Sequence, residues 1–208
     1  MTTPGGGRPR LLVATHSEHK LRELRQLLAL PNAELVSLDD VGVVDEPVEN
    51  AATFEANAAI KAQAGLAATG MPTLADDSGL EVDALDGAPG VRTRRYAGDD
   101  ATDEQNNQKL LGALEGLPAE RRGAHYVCSL VLAVPGEPLI TVRGECFGRI
   151  ATGPRGSGGF GYDPIFEPDG EAPGGRTFGQ WSAEDKNRVS HRARAARAMT
   201  PYLVERGF

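Results

Sequence analysis

Cysteine, histidine and aromatic residues are scarce in this 208-residue chain, at two, four and 5% respectively. Cys128 and Cys146 fall in separate strand-like segments without the paired spacing of zinc sites or disulfide frameworks, so both are expected to be reduced, buried packing residues. His16 and His19 are spaced as metal ligands but have no thiolate partner nearby, which ranks a zinc site below a surface loop. No apolar run approaches the roughly 20 residues that span a bilayer. The opening Met1-Thr2-Thr3-Pro4-Gly5-Gly6-Gly7 has no apolar signal core, so a cytoplasmic protein with no membrane partner is expected. Walker A, G-x-S-x-G and H-E-x-x-H patterns are missing, which weakens the common hydrolase routes. Positive charge is in deficit too. With 22 basic against 29 acidic residues the formal charge is −7, which argues against a general nucleic-acid surface, because duplex affinity rests on phosphate neutralisation. An anionic ligand would have to be met locally.

The chain does have enough apolar residues, 40%, for a full core. Residues 1–9 read as a disordered Gly/Pro-rich lead, and 10–208 as a single domain without repeat or linker. Residues 10–15 predict a short buried strand, and Ser17 caps a helix over 18–29 whose stripe is Leu21, Leu24 and Leu28. A second strand is expected at 34–37 and a loop over 39–50. The alanine-rich stretch 51–68 predicts a helix with Thr53, Asn57 and Lys61 on one face and Phe54, Ala58 and Ala62 beside them. Residues 80–85 alternate as a strand, Thr102-Asp103-Glu104-Gln105 is a capping box opening a helix to about residue 115, and 125–134 and 139–150 form a hairpin. One last helix, 185–205, is expected to bury Val189, Ala193, Ala196, Thr200 and Leu203, placing Arg188 and Arg192 together on another face and leaving Arg194 and Arg197 solvated. Helices alternating with strands, followed by a hairpin, predict an α/β fold with a mixed sheet.

Three segments carry chemistry. In Ala75-Asp76-Asp77-Ser78-Gly79 two carboxylates close an apolar run and a glycine is expected to turn the backbone, a strand end displaying charge. Paired carboxylates repel and lose solvation unless a cation, a proton or water compensates, and a divalent metal is one such cation; a solvated surface turn is the competing reading. Thr15-His16-Ser17-Glu18-His19-Lys20 joins a strand to a helix N-terminus, where free N–H groups and the dipole attract anions and Lys20 adds a full charge; a plain cap with a solvated lysine is the alternative. Gly156-Ser157-Gly158-Gly159-Phe160-Gly161 matches G-x-G-x-x-G, but a Pro-containing extended segment follows instead of a helix, so a dinucleotide site is rejected. Those glycines either present Phe160 and Asp163 to a planar ligand or form an ordinary Gly-rich hairpin.

Taken together, Thr15 to Lys20 with Leu21-Arg22-Glu23-Leu24, Ala75 to Leu80, Gly158-Gly159-Phe160-Gly161-Tyr162-Asp163-Pro164, and Lys186 with Ser190-His191-Arg192 resemble the Ham1/RdgB family of inosine triphosphate pyrophosphatases, in order and over nearly the whole chain. The resemblance implies an elongated two-lobed α/β fold, a mixed sheet flanked by helices with an active-site cleft between the lobes, and a homodimer. It implies Mg²⁺-dependent hydrolysis of non-standard purine nucleoside triphosphates such as ITP, dITP and XTP to monophosphate and pyrophosphate. It makes Asp77 the proton acceptor and a metal ligand with Glu49, and Asp76 an electrostatic support. Thr15, His16, Ser17, Glu18, His19 and Lys20 would hold the triphosphate with Lys61 and Ser78, and Phe160, Gly161, Tyr162, Asp163, Lys186, His191 and Arg192 would grip base and sugar. Ser17 stands where the family commonly has Asn, His19 where Gly is frequent, and Ala56 where Glu is common, with Glu55 one place earlier. Donors from Lys186, His191 or Arg192 would favour a 6-oxo purine over an amino-bearing one. Two rivals remain: a Maf-like nucleotide pyrophosphatase acting on other bases, and a regulatory module that binds nucleotide without turnover.

Overall fold

Leu11, Leu12 and Val13, all buried, make strand β1 (Arg10–Val13) the centre of a parallel trio with β2 (Glu34–Val36) and β3 (Thr73–Val82). Antiparallel pairing then carries the sheet through β4 (Gly123–Ala133), β5 (Ile140–Ile150) and β6 (Phe166–Pro168), giving six strands in the order β2-β1-β3-β4-β5-β6. The helices are α1 (Glu18–Leu28), α2 (Phe54–Thr69), α3 (Asp103–Ala113), α4 (Ala183–Val189) and α5 (His191–Glu205). This computed structural model describes residues 7–45 and 47–208, so most of the expected disordered lead lies outside the described residues. Pro9 is tied in, its carbonyl accepting from Glu34 N at 2.9 Å. Among the described residues no helix is long and apolar enough to cross a membrane.

The strand carrying Asp76 and Asp77 corrects the expectation of a charged strand end. β3 pairs with β4 without interruption from Thr73↔Ala133 to Val82↔Ala124, so the carboxylates sit in mid-strand and Gly79 turns nothing. Gly79 is required by close packing: a Cβ there would lie 2.4 Å from Thr93 Oγ1 and 2.8 Å from the Gly90 carbonyl oxygen. Gly79→Ala is therefore expected to cost about 1–3 kcal/mol, as overpacking does, read as a lowered urea midpoint with an unchanged slope.

Strand alternation sends neighbouring residues to opposite faces. Leu74 shares one face with Cys128, Leu130 and Leu132, packed under α1 and α5 through Leu24, Leu28, Ala195 and Met199. Ala75 shares the other with Val131 and Ala133, packed under Ala58 and Ala62 of α2. Farther along β3, Leu80 and Val82 join a separate cluster with Tyr126, Phe166, Phe178 and Leu110. Asp76 and Ser78 lie between Leu74 and Leu80 on the first face and separate its two apolar cores; with Asp77 on the opposite face they form a polar belt across the strand. Cys128 and Cys146 are free and buried as expected, and burial pushes their thiols up to about 12 and about 11.

Two helix expectations change. Thr53 is the N-cap of α2, its side chain accepting from Ala56 N at 3.2 Å, so it does not share the helical face of Asn57 and Lys61. The single C-terminal helix is two, broken at Ser190, whose extended backbone ends α4 and whose Oγ caps α5. The break separates Arg188, which is exposed and paired with Glu184, from Arg192, which is buried. Two 3₁₀ turns, Asp39–Val41 and Asp163–Ile165, stand where a loop and an extended segment were expected.

Candidate active site

The adjacent carboxylates of β3 face opposite ways and find different partners. Asp77 points toward α2, where Lys61 Nζ reaches its Oδ1 at 3.3 Å and Glu49 Oε2 at 3.2 Å. Asn57, one helical turn before Lys61, accepts from Ala51 N at 3.0 Å and so steadies the segment that delivers Glu49. Asp76 points toward α1 and α5 and is 3% exposed. Lys20 Nζ lies 2.8 Å from its Oδ1, and Arg192 donates to its Oδ2 from Nε at 3.2 Å and Nη2 at 3.0 Å. Arg192 also donates to Glu23 at 2.5 Å and to Ser78 Oγ at 3.0 Å.

These partners set the two acids apart. Burial alone would raise the Asp76 carboxyl, but Lys20, Arg192 and Lys61 outweigh it and hold the group far below the usual carboxylate range. For Asp77 burial prevails over Lys61 and Lys20, and the nearby Glu49 and Asp76 charges add to it, so its carboxyl is raised. Asp76 is therefore a fixed anion that orients cations. Asp77 is the more basic carboxylate, which suits proton acceptance.

The expected phosphate loop is a helix entry. Ser17 caps α1, accepting from Lys20 N at 3.4 Å, while its own N–H donates to Thr15 Oγ1 at 3.0 Å. His16 Nδ1 lies 2.7 Å from Asp39 Oδ1, Glu18 sits in the first turn of α1, and His19 contacts Arg22 at 2.8 Å. Glu55 forms an ion pair with Arg143 at 2.7 Å, away from Glu49.

Asp163 centres the opposite end. Its carboxylate receives Lys186 Nζ at 2.5 Å, the Phe160 N–H at 3.0 Å and the Tyr126 hydroxyl at 3.3 Å. Lys186 lies 4.5 Å from the centre of the Phe160 ring, and His191 stacks on Tyr126 at 4.7 Å. Burial and the Arg192 and Lys186 charges hold the His191 imidazole well below its ordinary range, so it is neutral, and its Nδ1 is buried with no hydrogen-bond partner among the described residues. Gly159 must be glycine here, because a Cβ would meet Asp163 Oδ2 at 2.0 Å. Tyr162 is turned inward, its hydroxyl donating to Thr93 O at 2.8 Å.

The structure thus joins Glu49, Lys61 and Asp77 in one cluster, Lys20, Asp76, Ser78 and Arg192 in a second, and Phe160, Asp163, Lys186 and His191 in a third. Arg192 does not join the base-and-sugar group expected of it, since the break at Ser190 aims it at Asp76; Ser78 joins Lys20 as expected but not Lys61, because strand alternation puts it on the Asp76 face. Glu23 and Tyr126 were not anticipated. Glu23 lies three residues after Lys20 on the same helical face, and Tyr126 alternates inward with Cys128 and Leu130, where a buried hydroxyl needs a partner; both signals were present in the sequence.

Lysines and carboxylates at one end of a polar belt, and an aromatic turn closed on a buried carboxylate at the other, define a mixed-sheet α/β protein equipped for a ligand both polyanionic and planar. The chain belongs to the Ham1 family, whose model matches residues 11–202. A Nocardia farcinica protein called dITP/XTP pyrophosphatase is 49% identical over 198 residues, covering 94% of this chain and 95% of that protein. A Syntrophobacter fumaroxidans protein of the same name is 50% identical over 185 residues, 89% of this chain and 78% of that protein. Among solved structures, a HAM1 protein from Coxiella burnetii superposes with a TM-score of 0.85 at 37% identity, covering 95% of this chain and 99% of that one. The nucleoside-triphosphatase, or dITP/XTP pyrophosphatase, of Mycobacterium abscessus gives 0.76 at 45% identity, covering 92% and 99%. This membership sets the Maf-like alternative aside.

Proposed function

We propose that this protein hydrolyses non-standard purine nucleoside triphosphates, ITP, dITP and XTP, to the nucleoside monophosphate and pyrophosphate. The observation that carries the reading is the pairing of Asp77 with Glu49 across Lys61, at 3.3 and 3.2 Å, in a chain about half identical to proteins named for this reaction. Water attacks the α-phosphorus as Asp77 takes its proton; the new P–O bond forms while the bond to the β-phosphate oxygen breaks and pyrophosphate leaves. Lys20 and Lys61, aimed into the belt by Asp76 and Asp77, offset triphosphate charge. Thr15, His16, Ser17, Glu18 and His19 frame the phosphate end.

Magnesium is part of the proposal. Two carboxylate oxygens already converge on one cationic centre, Lys61 Nζ, and such hard oxygen donors suit Mg²⁺. Glu49 and Asp77 would hold the ion, which when bound supplies charge neutralisation at the phosphates. A homodimer, the family's expected assembly, belongs to the same reading.

In this reading Phe160 offers a face for the base, and Lys186 and His191 would meet a 6-oxo group. Arg192 in this reading supports the phosphate side by fixing Asp76 and does not meet the base, since its Nε, Nη1 and Nη2 groups already donate to Asp76, Glu23 and Ser78. Pyrophosphate release should be followed with ITP, XTP, dITP, GTP and ATP, with and without EDTA. We expect kcat/KM for ITP and XTP to exceed that for ATP by about a hundredfold or more, as hydrogen-bonded discrimination allows, and activity to vanish with chelator and return with Mg²⁺. Equal rates on all five would refute the base assignment; ligand-induced stabilisation without pyrophosphate release would favour the regulatory module.

A further inference from the structure

The turn that carries Phe160 and Asp163 is hydrogen-bonded at its tip by a neighbouring helix, α3. At its tip Gly161, with φ of +59°, donates its N–H to Asp103 Oδ2 at 2.6 Å, and its carbonyl accepts from Asn107 Nδ2 at 3.0 Å. Asp103 and Asn107 lie one turn apart on α3, so a single helical face takes both backbone groups of one residue. Asn107 is buried, and its Oδ1 has no partner among the described residues. The amide is thus committed to the turn by its donor alone.

The helix supplying this grip is itself firmly seated. The capping box of Thr102 and Gln105 defines its first turn, where Asp103 stands. Asn106, pointing the other way, accepts from Ala97 N at 2.7 Å and donates to Arg94 O at 2.9 Å. Leu110 and Leu114 anchor the C-terminal half in the core cluster that also holds Tyr162. On the inner side the turn is closed by the Phe160 N–H on Asp163. A glycine tip at positive φ has little intrinsic preference for this shape, so the α3 clamp supplies the restraint that the turn lacks.

We propose that Asp103 and Asn107 are positioning residues for purine recognition: through Gly161 they hold Phe160 and Asp163 at the height and angle the base requires. This rests on the proposed triphosphate reading and adds to it a control on the base end, whose Phe160 ring lies 6.3 Å from that of His19 at the phosphate end. Misplacing a binding group by a fraction of an ångström weakens the contacts it makes and leaves remote ones intact.

The test compares Asp103→Ala, Asn107→Ala and Asp103→Asn with wild type, measuring pyrophosphate release from ITP and inhibition by inorganic tripolyphosphate, which can engage only the phosphate end. Each alanine variant should raise KM for ITP about tenfold with kcat within about twofold, the signature of lost binding rather than lost chemistry. The tripolyphosphate inhibition constant should stay at its wild-type value. Asp103→Asn, which can still accept from Gly161 N, should retain a near wild-type KM. Unchanged KM in Asp103→Ala overturns the inference, as does parallel weakening of tripolyphosphate, which would mean general loosening, or an Asn variant as impaired as the alanine. Wild-type protein releasing no pyrophosphate from ITP would overturn the proposed reaction and this inference together, whereas active wild type beside an unaffected variant overturns the inference alone.

Discussion

Asp77→Asn should lower kcat for ITP hydrolysis by about a thousandfold or more while leaving the melting temperature within a few degrees of wild type. A positioned general base contributes roughly 10²–10⁴ in rate, and the same replacement removes one of the two carboxylates proposed for the metal. The amide is close in size to the carboxylate, and at Asp77 burial outweighs the nearby lysines and disfavours the charge, so its neutralisation does not unbalance the fold. Lys61 keeps Glu49 as a partner at 3.2 Å. Initial rates of pyrophosphate release and a calorimetric scan decide it. A variant within tenfold of wild type would remove Asp77 from the chemistry.

The second large effect is on stability. Arg192 is 2% exposed and its charge is shared among Asp76, Glu23 and the Ser78 hydroxyl. Arg192→Met leaves Asp76 buried with Lys20 as its remaining close cation, and breaking a buried pair from one side costs about 3–5 kcal/mol. The guanidinium is held further into its charged range by Asp76 although burial opposes it. Urea unfolding of Arg192→Met, Asp76→Asn and the double variant forms a cycle. The double variant should be more stable than Arg192→Met alone, because the stranded charge is gone. Strict additivity would mean that the two side chains do not act as a pair.

Much of this site is local and therefore legible in sequence. Ser17 as a cap, the Thr102–Gln105 capping box, the leucine stripe of α1 and the hairpin of β4 and β5 each depend on residues a few positions apart, and each stands in the structure as expected. The rejection of a dinucleotide fold from the context of Gly156 to Gly161 rested on the same kind of evidence. What local pattern misread was continuity. Asp-Asp-Ser-Gly looks like a strand end because charge and glycine interrupt an apolar run, yet every residue of it stands opposite a register partner on β4. The alanine- and arginine-rich C-terminal stretch looks like one helix because no Gly or Pro interrupts it near residue 190 and its one proline, Pro201, lies farther on inside α5, yet Ser190 can cap a second helix and α5 packs on β4 and β5.

The sequence by itself determined roughly where the candidate site residues lie on strands, helices and turns, because capping, periodicity and turn preference are short-range effects. It also placed the chain in its family. Tertiary structure alone decided that Asp76 and Asp77 serve different clusters, that Arg192 belongs with Asp76, and that α3 reaches across to hold Gly161. Each of those depends on which element covers which face of the sheet, a choice made by packing between residues as far apart as Asp76 and Arg192, which no local pattern encodes.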